Sequence, residues 1–220
     1  MTSTFYREKK HRRLGLQLRL LSIAVFFLIL FFVHKPIFRW IGAFLNMPQS
    51  QQTCDIILVQ GGYLVPRFFF NHACEQFRQG YGEHILIVYS ESNDIGGYVG
   101  VDDPRKLIHT ALNEYGLDSS DVTLLPIIPC PPFTLNMAKR VKQYCLQNDV
   151  KSVMILNDNF HIRRSFLTFN KICKSDSILI RPHSVKIYLD KSNWWQHSNG
   201  VRRVFGEYVQ LGYYLIKGYI

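Results

Sequence analysis

The chain has 220 residues, of which 47% are hydrophobic and 19% are charged, so one globular domain with an appendage is expected. Its net charge of +10 is unevenly distributed along the chain. Residues 1–45 carry eight basic residues and one acidic residue, whereas the other 175 residues carry 18 basic and 15 acidic residues. The basic excess therefore indicates a targeting signal rather than a nucleic-acid-binding surface, and we expect no nucleic-acid partner.

The N-terminal region predicts a membrane anchor. Residues 14–33 follow a basic tail at residues 1–13 and are strongly apolar from Leu20 onward, and Arg19 can extend toward the basic side. Twenty helical residues span about 30 Å, which matches the hydrocarbon core of a bilayer. We expect one transmembrane helix here, with an interfacial segment that completes the region 14–45, so the lipid bilayer is an expected partner.

The charge bias across this span predicts its orientation. Five basic residues precede the span and only Lys35 and Arg39 closely follow it, so we expect a cytoplasmic N-terminus and a domain on the extracytoplasmic side of the inner membrane. A cleaved signal peptide is the alternative, but residues 34–45 offer only Gly42 and Ala43 as small residues for a cleavage site. We favour an uncleaved anchor.

The cysteines give no disulfide pattern. They are odd in number and no two form a C-x-x-C pair, although an exported domain would allow one or two disulfides. The sequence favours their being small buried hydrophobic residues, and their spacing predicts no zinc site. They are Cys54, Cys74, Cys130, Cys145 and Cys173.

Strands and helices alternate along residues 53–220. The expected strands are residues 54–60, 85–90, 122–128, 153–156 and 178–181. The expected helices are residues 67–79, 104–115, 134–147, 160–171 and 201–216. This alternation predicts an α/β fold, a three-layer Rossmann-like domain with a mainly parallel sheet. Because the carboxyl ends of parallel strands meet at one edge of a sheet, residues that follow the strands are the candidate ligand site.

Several short motifs occur in an order that resembles a known family. They are DIILVQGG from Asp55, Arg67, TLNMA from Thr134, NFHIRRS from Asn159, Trp194-Trp195 and Glu207. The chain from residue 55 onward resembles the SanA/ElyC/YdcF-like family of bacterial envelope proteins, many of which carry one N-terminal membrane helix. The resemblance implies a Rossmann-like domain linked to envelope polysaccharide or peptidoglycan maintenance. The chain departs from the family pattern at Ser90-Glu91-Ser92, where relatives usually have Ser-Gly-Gly.

The first candidate group is an anion site near the end of the first two strands. Gly61 and Gly62 end the first strand, where their backbone N–H groups can approach a ligand. Arg67 opens the next helix with a planar guanidinium suited to phosphate, and Ser90 ends the second strand. The alternatives are a plain turn at the glycines and a solvent-exposed Arg67. The spacing is not G-x-G-x-x-G, so no dinucleotide fingerprint is present and the cofactor stays unassigned.

Two polar residues follow the proline-rich segment after the third strand. Thr134 is expected to cap the helix that it begins by accepting backbone N–H groups. Asn136 lies in the first turn of this helix and can point its amide into the same crevice. We therefore expect Asn136 to bind ligand and Thr134 to be structural.

The second candidate group follows the fourth strand. His161 is the candidate acid or base, Asp158 lies three residues earlier and can fix its tautomer, and Arg164 can clamp negative charge. Asp158 and His161 can also be read as two metal ligands, with a third from Glu91, Asp94 or His183. No spacing demands such a site, and we assign no metal.

The C-terminal region carries aromatic and acidic candidates. At least one of Trp194 and Trp195 is expected to cover the core, although aromatic rings beside arginines can also stack on sugars. Glu207 faces a basic partner if its side chain turns inward, and is otherwise a surface acid. A stripe in the terminal helix is expected to be core: Tyr208, Leu211, Leu215 and Tyr219.

The sequence predicts a membrane-anchored domain that binds an anionic ligand, either a sugar phosphate, a nucleotide-like molecule or a lipid-linked sugar phosphate, and the family resemblance implies a role in cell-envelope biogenesis. One hypothesis is phosphoester or glycosyl-phosphate chemistry with His161 as acid or base. The alternative is a non-catalytic assembly factor with a degenerate pocket. Binding of a nucleotide or S-adenosylmethionine is a third hypothesis, which rests on fold analogy alone.

Overall fold

The structure is a computed structural model, and it describes residues 2–61, 67–90, 104–187 and 189–220. The predictions made for Gly62, and for the loop that begins at Glu91, lie outside these residues. The chain divides into two compact units, Met1–Ile41 and Gly42–Ile220.

Six helices and five strands make up the described residues. The helices are α1 (Thr2–Leu45), α2 (Arg67–Arg78), α3 (Pro104–Tyr115), α4 (Phe133–Gln147), α5 (Ile162–Cys173) and α6 (Ser198–Ile216). The strands are β1 (Cys54–Gln60), β2 (Gly82–Ser90), β3 (Val122–Ile127), β4 (Ser152–Asp158) and β5 (Leu179–Val185). Two short 3₁₀ helices cover Lys174–Asp176 and Trp194–Gln196.

The five strands form one sheet in the order β3-β2-β1-β4-β5. Each neighbouring pair is parallel, which confirms an α/β fold with a parallel sheet. β1 pairs with β2 on one side and with β4 on the other, so the strand order reverses between β1 and β4. A crevice at the carboxyl ends of the strands is expected at such a reversal point.

The central strands are buried on both faces, because helices cover each face. Ile56 and Leu58 of β1 belong to a core that is shared with α4 and α5. Ile57 and Val59 belong to a second core that is shared with α2 and α3. Side chains alternate between faces along a strand, so a continuous apolar run such as IILV supplies both cores.

Prolines within strands are confined to the two edges of the sheet. Pro126 lies in β3 and Pro182 lies in β5, and each of these strands has a single neighbour. Proline lacks the N–H that a central strand must donate, so edge positions tolerate it. The expected end of the last strand at residue 181 was therefore wrong, since β5 continues through Pro182 to Val185.

Other element bounds agree closely with the sequence prediction. The bounds of β1 and α3 match those expected, and α2 ends one residue earlier. The helix expected from residue 160 begins instead at Ile162, because Phe160 lies in a turn and is fully buried. The terminal helix begins three residues earlier than expected, at Ser198.

The interpretation of the cysteines as buried hydrophobic residues is confirmed for four of them. Cys54, Cys74, Cys145 and Cys173 are buried and carry free thiols, whereas Cys130 is free and exposed. Burial raises the pKa of the Cys145 thiol to about 12, so it stays protonated at neutral pH.

The first unit is helical and exposes many large apolar side chains, among them Phe27 and Phe32. No single helix of the described chain meets the criteria of length and hydropathy for crossing a membrane. The segments Gln17–Ile29 and Phe31–Leu45, which are bent by 40° against each other, meet them as a pair by length and composition.

Candidate functional site

A cavity of about 800 Å³ lies at the carboxyl ends of β1 and β4. This is the edge at which the strand order reverses, so the cavity occupies the position expected for a ligand in a parallel α/β sheet. Its wall includes residues from both strand ends, from the first turns of α4 and α5, and from α6. They are Gln60, Gly61, Pro131, Pro132, Phe133, Thr134, Met137, Asn157, His161, Arg164, Val209, Gln210, Tyr213, Tyr214 and Tyr219.

The centre of this wall is an ion pair between α5 and α6. The Nε of Arg164 donates to Oε2 of Glu207 over 2.9 Å, and Nη2 of Arg164 donates to Oε1 over 3.2 Å. Nη1 of Arg164 donates to the hydroxyl of Thr134 over 2.9 Å. Both charged side chains are largely buried, with 7% and 14% of their surface exposed. The two-pronged geometry is the strongest that an arginine and a carboxylate can adopt.

Glu207 is held ionised despite its burial. Burial alone would raise the pKa of this carboxyl, because a low-dielectric environment disfavours charge. The hydrogen bonds and charges of His161 and Arg164 outweigh that effect and lower its pKa to about 2. The alternative in which Glu207 turns inward toward a basic partner is therefore the one that the structure adopts.

His161 shares its Nδ1 atom between two partners. Nη2 of Arg164 lies 2.9 Å from this nitrogen, and Oε1 of Glu207 lies 3.2 Å from it. A guanidinium only donates, so a neutral His161 whose Nδ1 accepts from Arg164 carries its proton on Nε2. A protonated His161 instead donates from Nδ1 to Glu207. No hydrogen-bond partner of Nε2 is found among the described residues, and this ring lines the cavity.

Asp158 has a different role from the one that the sequence suggested. Its Oδ1 accepts the backbone N–H groups of Phe160 and His161, over 3.0 and 3.2 Å, and so fixes the turn before α5. Its Oδ2 accepts from Arg203 over 2.6 Å. Glu207, rather than Asp158, is the carboxylate beside the imidazole, so the prediction that Asp158 sets the tautomer of His161 was wrong.

Two side-chain amides form part of the cavity wall at the ends of β1 and β4. Nδ2 of Asn157 donates to Oε1 of Gln60 over 3.2 Å, and the Gln60 amide donates to the hydroxyl of Ser165 over 2.7 Å. Sequence reasoning missed Gln60 and Asn157. Their position as the polar ends of the two neighbouring strands β1 and β4 was the signal that could have found them.

Tyrosines line the outer wall. Tyr213, Tyr214 and Tyr219 surround part of the cavity, and the guanidinium of Arg164 lies 5.0 Å from the ring centre of Tyr214. The expected core stripe of the terminal helix was therefore wrong in part, since Tyr219 lines the cavity and Leu215 is 66% exposed. α6 ends at Ile216, so helical spacing does not apply to Tyr219.

A second hollow of about 460 Å³ adjoins the first. It is lined by Arg202, Arg203, Asp158 and Glu207 among others, and it shares Asn157, His161, Arg164 and Gln210 with the tyrosine-lined cavity. His161 and Arg164 therefore lie at the boundary between the tyrosine-lined cavity and a second space that is lined by several charged side chains. We refer to this second space as the arginine hollow.

Two of the predicted anion contacts at the first strand have other partners. Arg67 is exposed and pairs with Glu114, and it is not part of either cavity wall. Gly61 does line the cavity, but its N–H donates to the carbonyl of Val88 over 2.9 Å and is not available to an anion. Ser90 is buried at the end of β2 and lines neither space.

Thr134 and Asn136, at the start of α4, have the opposite of their expected roles: Thr134 lines the cavity, and Asn136 stabilises the preceding loop. α4 begins at Phe133 after Pro132 without a side-chain cap, so the expected cap by Thr134 was wrong. The hydroxyl of Thr134 instead accepts from Arg164 at the cavity wall. The amide of Asn136 donates to the carbonyl of Cys130 over 2.9 Å and stabilises the preceding loop, so it does not reach the cavity.

One further candidate, Trp194, has a structural position. Trp194 is buried and its backbone lies directly against Gly200, which agrees with its expected role in covering the core. Among the residues that the structure describes, no group of three or more His, Cys, Asp or Glu side chains is arranged to hold a metal ion.

Fold and site together define an α/β domain with a ligand-sized cavity at the reversal point of a parallel sheet. Searches against protein-family models, curated proteins and solved structures find no match to this chain.

Proposed function

We propose that this protein binds a small molecule that has an uncharged ring joined to an anionic group, such as a sugar phosphate or a nucleotide-like compound. The observation that carries this proposal is the junction of the two spaces at His161 and Arg164. A ligand that fills both spaces would lay its ring in the tyrosine-lined cavity and its anionic group in the arginine hollow. The bond between the two parts would then lie beside His161.

The chemistry of the tyrosine-lined cavity supports a ring. Tyr213 and Tyr219 offer aromatic faces, which stack on the apolar faces of sugars or on bases. Gln60, Asn157 and Thr134 add hydrogen-bonding groups at the same wall. An apolar wall with a few polar groups is the usual composition of a small-molecule site.

The charges of the arginine hollow support an anion. Three guanidinium groups, from Arg164, Arg202 and Arg203, face two carboxylates, from Asp158 and Glu207, which leaves an excess of one positive charge. A neutral His161 with its proton on Nε2 adds a donor at the junction. A phosphate monoester placed there would meet both the positive charge and this donor.

The enzymatic form of the proposal is hydrolysis of a phosphoester or glycosyl phosphate. This chemistry requires the other neutral tautomer of His161, in which Nδ1 donates to Glu207 and Nε2 is unprotonated. Nε2 would then take the proton of an attacking water and return it to the oxygen of the leaving group. Glu207 is ionised and lies 3.2 Å from Nδ1, so it would stabilise the imidazolium that forms between these two steps.

The alternative is a non-catalytic assembly factor, and one observation favours it. Arg164 already donates to Glu207, Thr134 and His161, which uses four of its five N–H groups. A guanidinium with four of its N–H groups already bonded mainly stabilises the fold and has one N–H group left to donate to a ligand.

The wider setting is also a proposal. We infer a Rossmann-like domain that is similar to the SanA/ElyC/YdcF-like family and acts in cell-envelope biogenesis. Residues 14–33 would anchor it in the inner membrane as one span, with the N-terminus inside and the domain on the extracytoplasmic side. The exposed apolar side chains of the first unit and the basic residues that precede residue 14 support this arrangement.

Binding by the full chain in detergent micelles tests the ligand proposal. Thermal shifts would be recorded with inorganic phosphate, sugar phosphates, nucleotide sugars and adenosyl compounds, for the wild type, His161→Ala and Arg67→Ala. We expect a ring-phosphate compound to stabilise the wild type and Arg67→Ala but not His161→Ala. Equal stabilisation of all three proteins, or none by any compound, would contradict the proposal. An alkaline phosphatase fused after Ile220 should be active if the domain is extracytoplasmic.

A further inference from the structure

One face of α6 is apolar and exposed. Val201, Phe205, Val209 and Ile216 follow one another at spacings of four, four and seven residues, so they lie within roughly 80° of arc on one side of the helix. We call these four residues the α6 stripe. Phe205 is 71% exposed and Ile216 is 85% exposed, so the domain leaves the stripe uncovered. Contiguous apolar surface of this kind marks an interaction site.

The charges beside the stripe are all basic. Arg202 is exposed next to the stripe and Lys217 is exposed just beyond the end of α6, whereas Arg203 lies on the other side of the helix and pairs with Asp158. The only acidic residue of α6, Glu207, is largely buried and paired with Arg164. An amphipathic helix with apolar side chains on one face and basic residues beside them is suited to the interface of an anionic bilayer.

The position of α6 near the entry of the chain into the domain supports the same partner. The ring of Phe44 stacks on that of Tyr208 at 5.9 Å between centroids, and the Arg163 guanidinium lies 4.5 Å from the Phe44 ring centre. Phe44 follows the apolar span 14–33 by only eleven residues. An anchor at residues 14–33 would therefore leave only a short length of chain between the bilayer and a residue that contacts α6.

We infer that the α6 stripe lies on the surface of an anionic lipid bilayer, with its apolar side chains among the headgroups and upper acyl chains and with Lys217 against lipid phosphates. This inference rests on the proposed membrane anchor. A second copy of the chain is a poorer partner, since four side chains fall well short of the roughly 20 to 30 residues a side of a stable protein interface. A two-fold pairing of α6 would also bring the basic residues of both copies together.

Docking would couple the bilayer to the candidate site. Val209 belongs to the α6 stripe and also to the wall of the tyrosine-lined cavity. Phe133 lines the same cavity and is 52% exposed. Docking of α6 would therefore place the wall of the tyrosine-lined cavity next to the lipid surface.

Quenching of a dye by lipid in the full chain tests this inference. The exposed Cys130 is changed to Ser, and an environment-sensitive thiol dye is attached in two separate variants, Phe205→Cys and Leu146→Cys. Leu146 is the matched control, because it is 54% exposed and lies about 20 Å along α4 from the turn that lines the cavity. The proteins are incorporated into nanodiscs of phosphatidylglycerol and phosphatidylcholine, or of phosphatidylcholine alone, with brominated acyl chains as quencher.

We expect at least two-fold quenching at position 205 in anionic discs, weaker quenching in zwitterionic discs or at high salt, and none at position 146. If the chain enters the discs but the dye at position 205 is not quenched, the proposed docking of α6 is wrong, whereas the proposed membrane anchor is supported. Dye self-quenching between copies in place of lipid quenching would assign the stripe to a second copy. Equal quenching in both disc types would overturn the role of anionic lipid. If the chain does not enter the discs, the proposed membrane anchor is wrong, and so is the docking that depends on it.

Discussion

Arg164 and Glu207 join the start of α5 to the middle of α6 through two hydrogen bonds between one guanidinium and one carboxylate. His161 and Thr134 complete the set, so one arginine connects three helices at the edge of the sheet. A pair this deeply buried is costly to form and more costly to break, because removing one partner leaves an uncompensated charge. The same atoms therefore hold the fold together and define the wall of the candidate site.

We expect Glu207→Gln to destabilise the protein at neutral pH by roughly 3 kcal/mol, since the folded-state pKa of about 2 lies well below the ordinary value of 4.5. The carboxylate stabilises the fold above pH 4.5, and this contribution is lost as the pH falls toward 2. The difference in free energy of unfolding between wild type and variant should therefore be largest near pH 7 and shrink between pH 4.5 and 2. Denaturant unfolding of the full chain across this range measures it. A difference that does not change with pH would contradict the ion pair.

Arg164→Lys is expected to weaken both stability and ligand binding, because an ammonium cannot reproduce the planar fork that spans Glu207 and Thr134. We expect a loss of about 3 kcal/mol in the free energy of unfolding, at the lower end of the range for a broken buried pair. Arg67→Lys is the matched control. Arg67 is exposed and makes a surface pair with Glu114, so its replacement should leave both measurements unchanged. Equal effects of the two substitutions would contradict this distinction.

The sequence could predict the edge of the sheet at which the site lies, because that depends only on local patterns. The apolar run of β1 stops at Gln60, and that of β4 stops at Asn157 and Asp158. Parallel strands then bring these ends together whatever the details of packing. His161 and Arg164 follow β4 directly, and this position together with the resemblance of the surrounding motif to a known family made them candidates.

The pairing of charges could not be predicted, because it depends on which helix faces which. Arg67 and Arg164 have the same chemistry, and their partners Glu114 and Glu207 lie 47 and 43 residues away in sequence. Only the packing of α6 against α5 decides that the second pair is buried. For the same reason the Asn136 amide, which sequence position assigned to the crevice, bonds to the Cys130 carbonyl instead.

Gly200→Ala is expected to destabilise the domain, because a Cβ at this position would lie 2.1 Å from the backbone oxygen of Trp194. A backbone atom cannot give way as a flexible side chain can, so we expect a cost of about 1 to 3 kcal/mol, as for overpacking in a core. Gly212→Ala in the same helix is the control. Its Cβ would meet nothing within 4 Å, and alanine favours a helix by about 0.5 to 1 kcal/mol. Melting temperatures should move in opposite directions, and a stable Gly200→Ala protein would contradict the close approach.

Asp158 combines two functions that substitutions can separate. Asp158→Asn keeps an oxygen that can accept the N–H groups of Phe160 and His161 but removes the charge that faces Arg203. Asp158→Ala removes both. We expect the alanine variant to be less stable than the asparagine variant by about 1 kcal/mol, the usual worth of a capping interaction. If the two variants unfold at the same denaturant concentration, the turn before α5 does not depend on this oxygen.

The pair formed by His72 and His183 should make the protein sensitive to mild acid. Their Nε2 atoms lie 3.3 Å apart, and Nδ1 of His183 is buried without a hydrogen-bond partner among the described residues. Burial lowers the pKa of both rings, and the charge of His72 lowers that of His183 further. The folded protein therefore takes up protons on these rings less readily than the unfolded chain does, so their contribution to stability is present above pH 6.5 and is lost as the pH falls below that value.

His183→Gln removes one titrating ring from this pair and tests the consequence. We expect the free energy of unfolding to fall more in the wild type than in the variant between pH 7.5 and pH 5.5. Only the wild type has an imidazole at position 183, and in this pH range that imidazole binds a proton more readily in the unfolded chain than in the fold. His84 also has a pKa lowered by burial and is present in both proteins, so its effect cancels in the difference. Denaturant unfolding of the two full chains at both pH values provides the measurement. Parallel losses in the two proteins would show that this histidine pair does not set the acid sensitivity.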